Sequence, residues 1–283
     1  MAVNTWNGST STDFATAANW TTTGETDRVP TAADDVIIPD TSSINKCVLD
    51  QARNINSFVL APDGELDQGN AFYIKGKNAA GEAVKCQGKL GDVSDFVVET
   101  QSAATVTLTK QSGSGSFRNL TITHASGDIT LGAAASLSGN LTVTAGILNT
   151  SNFDLDCVLC HGNGTVKTGS GTYTATNDWR PDNTQLQVDG GTFTGIDQLG
   201  GAFDCNSKQV TIGCKRFHSS IAMTNGTSLV SDNSAEDVIV TATAAESNAS
   251  VYGPLQGRIN LVTNSSGSKD FVLKEDLTVN GRI

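Results

Sequence analysis

The sequence predicts an all-β protein, a right-handed parallel β-helix behind an N-terminal aromatic segment, and three observations carry that expectation. Short apolar or alternating runs recur along the chain, each closed by Gly, Asn, Asp or Ser, while helical periodicity is nearly absent. A phrase repeats, as Asn119-Leu120-Thr121-Ile122, Asn140-Leu141-Thr142-Val143 and Asp276-Leu277-Thr278-Val279, and the first two copies lie 21 residues apart. That spacing is about one coil of a stacked repeat. Connections are short and glycine-rich (Gly132, Gly139, Gly146, Gly162, Gly164, for example), as corners between brief strands require. The dipeptides of two-residue hairpins are few, at Asn7-Gly8, Asp63-Gly64, Asp189-Gly190 and Asn225-Gly226, which disfavours a meander. A sandwich or a pair of β domains is the competing architecture.

The strand runs fall at 55–60, 71–75, 96–100, 105–109, 120–123, 128–131 and 141–144. They resume at 153–159, 165–167, 186–188, 209–212, 238–241, 258–262, 271–273 and 277–279, and the stretch 191–234 is hard to phase. The best helical candidate, Thr31-Ala32-Ala33-Asp34-Asp35, is one turn at most. The expected organisation is a cap or docking segment over residues 1–45 and the β-helix over 46–283. In such a stack Val, Ile, Leu, Ala and small Cys suit the interior, with Thr, Ser and Asn outside. The first coil presents a sheet edge that needs cover. Trp6, Phe14 and Trp20 precede any repeat and are expected to lie over that coil, with a sugar-stacking platform as the competing use. Pro30 and Pro39 are expected to keep this segment from further strand pairing.

Composition agrees. Of 283 residues, 35 are the β-branched strand former Thr, 29 are Gly and 5 are Pro. A net charge of −11 offers no basic footprint for nucleic acid or for an anionic membrane surface. No apolar run has the length of a membrane helix, and Met1-Ala2-Val3-Asn4-Thr5-Trp6 lacks the start of a secretory signal. Six cysteines (Cys47, Cys86, Cys157, Cys160, Cys205, Cys214) are too dilute for a disulfide scaffold. They are expected as reduced, packed thiols, with a disulfide formed outside the cell as the alternative.

Trp6-Asn7-Gly8, Asn19-Trp20 and Pro30-x-x-x-Asp34-Asp35-Val36-x-Ile38-Pro39, followed by Ile55-Asn56-Ser57-Phe58-Val59-Leu60, Gly64-Glu65-Leu66 and Gly-Asn-Leu-Thr-Val coils, resemble β-helical repeat proteins of phage virions and bacterial surfaces. The resemblance implies an exposed structural role and no catalytic residues. With no export signal evident, it points to a capsid decoration, head fibre, or tail spike or fibre. Implied partners are capsid or tail proteins, further copies in a homotrimer, and host-surface glycan. The implied location is the virion surface, after synthesis in the host cytoplasm. The abrupt end at Ile283, in mid-coil by this phasing, suggests that a partner subunit or further sequence covers it. The alternatives are a bacterial surface adhesin and a carbohydrate-active enzyme.

Chemistry-bearing motifs are weighed against that reading. Cys157-Val158-Leu159-Cys160-His161 matches the c-type haem signature Cys-x-x-Cys-His. In a strand, however, residues three apart point to opposite faces, whereas haem attachment needs both thiols at one edge. A metal site recruiting Cys205, Cys214 or His218 is a further option. Asp178, Trp179, Arg180 and Asp182, with His161 nearby in sequence terms, are the candidate carboxylate cluster for glycan cleavage. Asp34-Asp35 falls too early for that role. Asp63, Asp67, Asp92 and Asp95 follow no calcium-loop pattern. The triplets at Asn119, Asn140, Asn163 and Asn225 carry no glycosylation message without export. No phosphate loop, nucleophile elbow or His-Glu-x-x-His occurs. Catalytic residues, metal and cofactor are therefore all expected to be none.

Overall fold

The chain is a parallel β-solenoid of about six turns, with no α-helix among the described residues. The computed structural model describes residues 1–91, 94–109 and 115–179, and beyond them the backbone of strands between 185 and 273. It divides into two compact units, Met1–Asn140 and Leu141–Ile283. The first carries β1 (Val3–Trp6), β2 (Trp20–Thr22), β3 (Asp35–Ile38), β4 (Cys47–Leu49), β5 (Arg53–Ile55), β6 (Ser57–Leu60) and β7 (Glu65–Gln68). It continues with β8 (Ala71–Ile74), β9 (Glu82–Cys86), β10 (Lys89–Leu90), β11 (Ser94–Val98), β12 (Ala104–Leu108), β13 (Phe117–Leu131) and β14 (Ala135–Ser136).

These strands form three parallel strips. One runs β1, β3, β6, β9, β12 and the last residues of β13. A second runs β4, β7 and β10, and the third runs β5, β8, β11 and the first half of β13. The register stacks like on like. Val36, Phe58, Val84, Val106 and Leu131 fall in one inward row, and Ile55, Ile74, Val98 and Ile122 in another; all are buried. Coils stack at about 4.8 Å, so each interior methyl meets its counterpart at close to contact distance.

An aromatic row runs through the same interior. Phe72 stacks with Phe58 at 4.8 Å between ring centroids and with Phe96 at 6.2 Å, and Phe96 meets Phe117 at 6.3 Å. The leading segment joins it: Phe14 meets Phe72 at 5.9 Å and Trp20 at 4.7 Å, and Trp20 meets Trp6 at 5.0 Å. Buried Trp needs a partner for its N–H. Trp6 Nε1 donates to Asn45 O at 2.7 Å and Trp20 Nε1 to Phe14 O at 2.8 Å. The buried, internally bonded rings are unsuited to a sugar-stacking platform.

The second unit contains most of β15 (Asn140–Asn149), then β16 (Leu155–His161), β17 (Thr165–Thr168), β18 (Thr172–Trp179), β19 (Gln185–Val188), β20 (Thr192–Gly200) and β21 (Ala202–Asp204). It ends with β22 (Thr211–His218), β23 (Val238–Ala242), β24 (Asn248–Val251), β25 (Ile259–Thr263) and β26 (Asp270–Leu273). Leu155, Tyr173, Phe193 and Ile212 share one register row, and Leu148, Val166, Leu186 and Phe203 another. The Tyr173 hydroxyl lies 2.9 Å from Thr150 Oγ1, accepts from Gly169 N at 2.8 Å, and thereby ties a corner to the row.

Several expectations are refined. The 55–60 run is two strands on different strips, broken at the Asn56 corner, and the 120–123 and 128–131 runs are one continuous strand. Between Asn119 and Asn140 the repeated phrase is read directly: Asn119 Oδ1 accepts from Asn140 N at 2.8 Å, one coil on. The third copy, at 276–279, lies outside the described residues. The expectation that Pro30 and Pro39 keep the leading segment unpaired is corrected. β3 lies between them and pairs with both β1 and β6. Each proline sits outside the strand, so neither removes a donor from the ladder. Residues 31–34 form a turn running directly into β3 at Asp35, with Asp34 N donating to Thr31 O at 3.0 Å.

Phe72 touches three other rings, so its loss opens a cavity in the centre of the row. Phe72→Ala is expected to lower unfolding free energy by about 3–5 kcal/mol in urea titration; a cost below about 1 kcal/mol is the result that contradicts the packing account.

Candidate functional site

The Asp34-Asp35 pair is a densely bonded cluster of ionisable groups among the described residues. Asp34 is buried, and its carboxylate takes both Nη atoms of Arg28, with Nη2 at 2.9 Å, plus Thr31 N and Oγ1, each at 2.8 Å. Burial opposes ionisation, but the Arg28 bond and the two Thr31 donors outweigh it, so the carboxyl sits at about 2. The same contact raises the Arg28 guanidinium, helped by Glu25 at 3.0 Å. Asp35 points elsewhere. Its Oδ1 accepts from Asn56 Nδ2 at 2.7 Å and Ser57 Oγ at 2.6 Å, and Asn56 Nδ2 also reaches Lys77 O at 2.9 Å. The pair therefore joins the leading turn to the next two coils. Of the donors to the two carboxylates Thr31 N is a backbone group, and the others are the side chains of Arg28, Thr31, Asn56 and Ser57, so the pair fastens the leading turn and the Asn56 corner.

The Cys-x-x-Cys-His segment is β16. The expectation that its thiols point to opposite faces is corrected: Cys157 and Cys160 are both buried, and strict alternation does not carry through this stretch, where the register against β18 slips between Cys157 and Leu159 with the extra residue on β18. Burial pushes the Cys157 thiol up to about 12, helped by the Asp156 charge, and raises Cys160 as well. Cys47 and Cys86 are buried with raised thiols too, and all four are free. Enclosed in this way, Cys157 and Cys160 present no edge to a porphyrin ring. His161 is half-buried, and its Nε2 lies 2.9 Å from Thr142 Oγ1. Behind it Gly162 has φ of +127°, and a Cβ there would come within 2.1 Å of Val143 O. The Cys-His-Gly sequence thus reads as a strand leaving through a corner that only glycine fits.

The remaining candidates are separated. Asp67 pairs with Lys46 at 2.5 Å, and Asp95 accepts from Arg118 Nε at 3.0 Å and from Asn119 N at 3.1 Å. The Asp63 carbonyl accepts from Thr41 N at 3.1 Å. Asp92, Arg180, Asp182, Cys205 and Asn225 lie outside the described residues. The strand register places Asp178 beside Leu159 on one side and Gln198 on the other, with Arg216 next along the row. His218 pairs in register with Gly200, and Cys214 with Ile196. Sequence reading named Asp178 and His161 together but missed Gln198 and Arg216, because a coil-to-coil row is invisible without the register. Among the described residues no three of His, Cys, Asp and Glu converge as a metal-holding group.

No family model, curated protein or solved structure matches the chain. The fold alone therefore assigns its class, a parallel β-solenoid protein.

Two outcomes test this description. The Asp34 carboxyl is held at about 2 against an ordinary 3.8, a difference worth about 2 kcal/mol. Because the folded value is depressed, this stability is complete above about pH 4 and is lost as pH falls towards 2. The unfolding free energies of the protein and Asp34→Asn should differ most near pH 7 and converge in acid. Separately, Cys47, Cys86, Cys157 and Cys160 should resist alkylation at pH 8 in the native state and react once denatured, as peptide mass mapping will show.

Proposed function

We propose that this protein is a structural virion component of a phage: a capsid decoration, head fibre, or tail spike or fibre. It forms a stiff surface projection docked on other virion proteins. The observation that carries the reading is how side chains are employed. In the described coils the apolar residues fill continuous inward rows, while Asp35, Asp67 and Asp95 are tied into bonds between coils and Asp34 into its own turn. Such a molecule works through its shape. Backbone hydrogen bonds between successive coils supply stiffness without a cofactor, and the net charge of −11 keeps densely displayed copies soluble.

In this reading residues 1–45 are the capping or docking segment. Residues 12–14 pair along β4, with Val48 N donating to Thr12 O at 2.8 Å and Phe14 N to Val48 O at 3.1 Å. β1 and β2 extend the first strip. The segment thus lengthens two strips while its aromatic side chains fill the end of the core. Partners are capsid or tail proteins and further copies in a homotrimer, with host-surface glycan at the exposed end.

The adhesin and carbohydrate-active enzyme readings keep one supporting feature, the Asp178, Gln198 and Arg216 row beside the β16 strand that carries His161. Mass spectrometry and antibody labelling of purified particles should find the chain on the virion surface, and sedimentation equilibrium should give about three times 29.3 kDa. A monomer absent from particles, with release of reducing ends from capsular glycan, is the outcome that replaces this reading with the enzymatic one.

A further inference from the structure

β2 is the outermost strand of its strip, and its hydrogen-bonding directions follow from its register. It pairs antiparallel with β1, with Asn4 opposite Thr22, Thr5 opposite Thr21, and Trp6 opposite Trp20. Thr23 N donates to Val3 O at 2.9 Å and Asn7 N to Asn19 O at 2.8 Å. Bonded pairs alternate with non-bonded ones in an antiparallel ladder. Residues 19, 21 and 23 therefore face β1 with their backbone groups, whereas those of Trp20 and Thr22 point away from it, the Trp20 N–H being bonded to Ala17 O. An outward row of this kind is what a strand from another molecule would pair with.

The chain occupies that position itself. After β2 it reverses at Gly24, whose φ of +77° suits the tight turn. Asp27 Oδ1 then accepts from Thr22 N at 3.0 Å, and Glu25 N donates to Thr22 O at 3.5 Å. Arg28 N donates to Thr22 Oγ1 at 3.2 Å, and that hydroxyl donates to Asn4 Oδ1 at 2.7 Å. Both outward groups of Thr22 are thus taken by residues 25–27. The returning loop is fastened by the Arg28 guanidinium on the buried Asp34 carboxylate. Asp27 itself is exposed, so its place is explained by this bond and not by packing.

We propose that residues 23–34 are an edge lock. Asp27 closes the outward side of β2 against strand addition by a second copy of this chain, and the Arg28–Asp34 pair holds the lock shut. The occupant excluded is another β2 strand. Two copies related by a twofold axis would have Thr22 N of each donate to Trp20 O of the other, the Trp20 N–H staying with Ala17 O, and would bring their Thr21 residues opposite each other. Thr21 would then be a non-bonded pair with Cα atoms about 4.5 Å apart, within the range a disulfide spans. This inference concerns one end of the first unit and stands independently of the virion assignment.

The test uses the full chain with Thr21→Cys, with and without Asp27→Ala, under mild oxidation and read on non-reducing gels. The two proteins differ only at residue 27, so the comparison isolates the lock, and Asp27→Ala with Thr21 kept shows what the native cysteines contribute. Cross-linked dimer is expected only with Asp27→Ala, and Asp27→Asn, which keeps an accepting oxygen, is expected to behave as the parent. Amide exchange at Thr22, measured on proteins that keep Thr21, supplies a second readout: protection should fall by at least about tenfold in Asp27→Ala, since a hydrogen bond to a carboxylate is lost. Dimer in both cysteine proteins, dimer in neither, dimer in Asp27→Asn, or unchanged Thr22 exchange each overturns the lock. Its failure would leave the virion reading standing, because particle composition does not depend on this edge.

Discussion

Parallel, in-register backbone pairing between successive coils is the constraint on which the rest of the structure rests. Once Val36 is placed beside Phe58, and Phe58 beside Val84, the alternation of a strand decides which residues face inward on every coil. Stacking at about 4.8 Å then demands that residues in one row be mutually compatible. Rows of Val, Ile, Leu and Phe meet that demand inside. Outside, the same rule brings unlike charges together across coils, as Lys75 with Glu99 and Lys46 with Asp67. Exposed pairs of this kind add little stability individually, and their visible effect is to neutralise many of the described cations on an acidic chain.

The leading segment differs from the coils that follow it. Its chemistry is local and does not repeat: a T-shaped Trp6–Trp20 contact, two indole N–H bonds to carbonyls, the Arg28–Asp34 pair, and Asp35 bonded to the Asn56 corner. Two adjacent carboxylates that resemble a catalytic pair on paper are driven to opposite tasks by strand alternation. Asp34 turns back to its own turn, and Asp35 reaches forward to the next coil.

Much of the architecture was legible in the residues. The 21-residue recurrence of Asn-Leu-Thr marked one coil, and Asn119 bonded to Asn140 N is its physical meaning. Strands such as β8, β12 and β17 were visible because apolar and polar residues alternate cleanly. β9 was hidden, since Ala83 and Val84 are both buried at a register slip and charged Glu82 and Lys85 flank them. β7 read as a turn because Gly64 precedes it and acidic residues interrupt it. The register slip between β16 and β18 was equally hidden, and with it the fate of Cys157 and Cys160.

The sequence by itself determined the class of fold, the length of a coil and the identity of the residues able to fill its interior, because hydrophobic periodicity and glycine corners are local properties of the chain. Only the tertiary structure decided register: which residues meet across coils, which face a bulged strand presents, and which carboxylates are spent on holding backbone. Register depends on contacts between residues about twenty positions apart, and a one-residue slip reverses every side chain. No local pattern around Asp34, Cys157 or Asp178 could specify it.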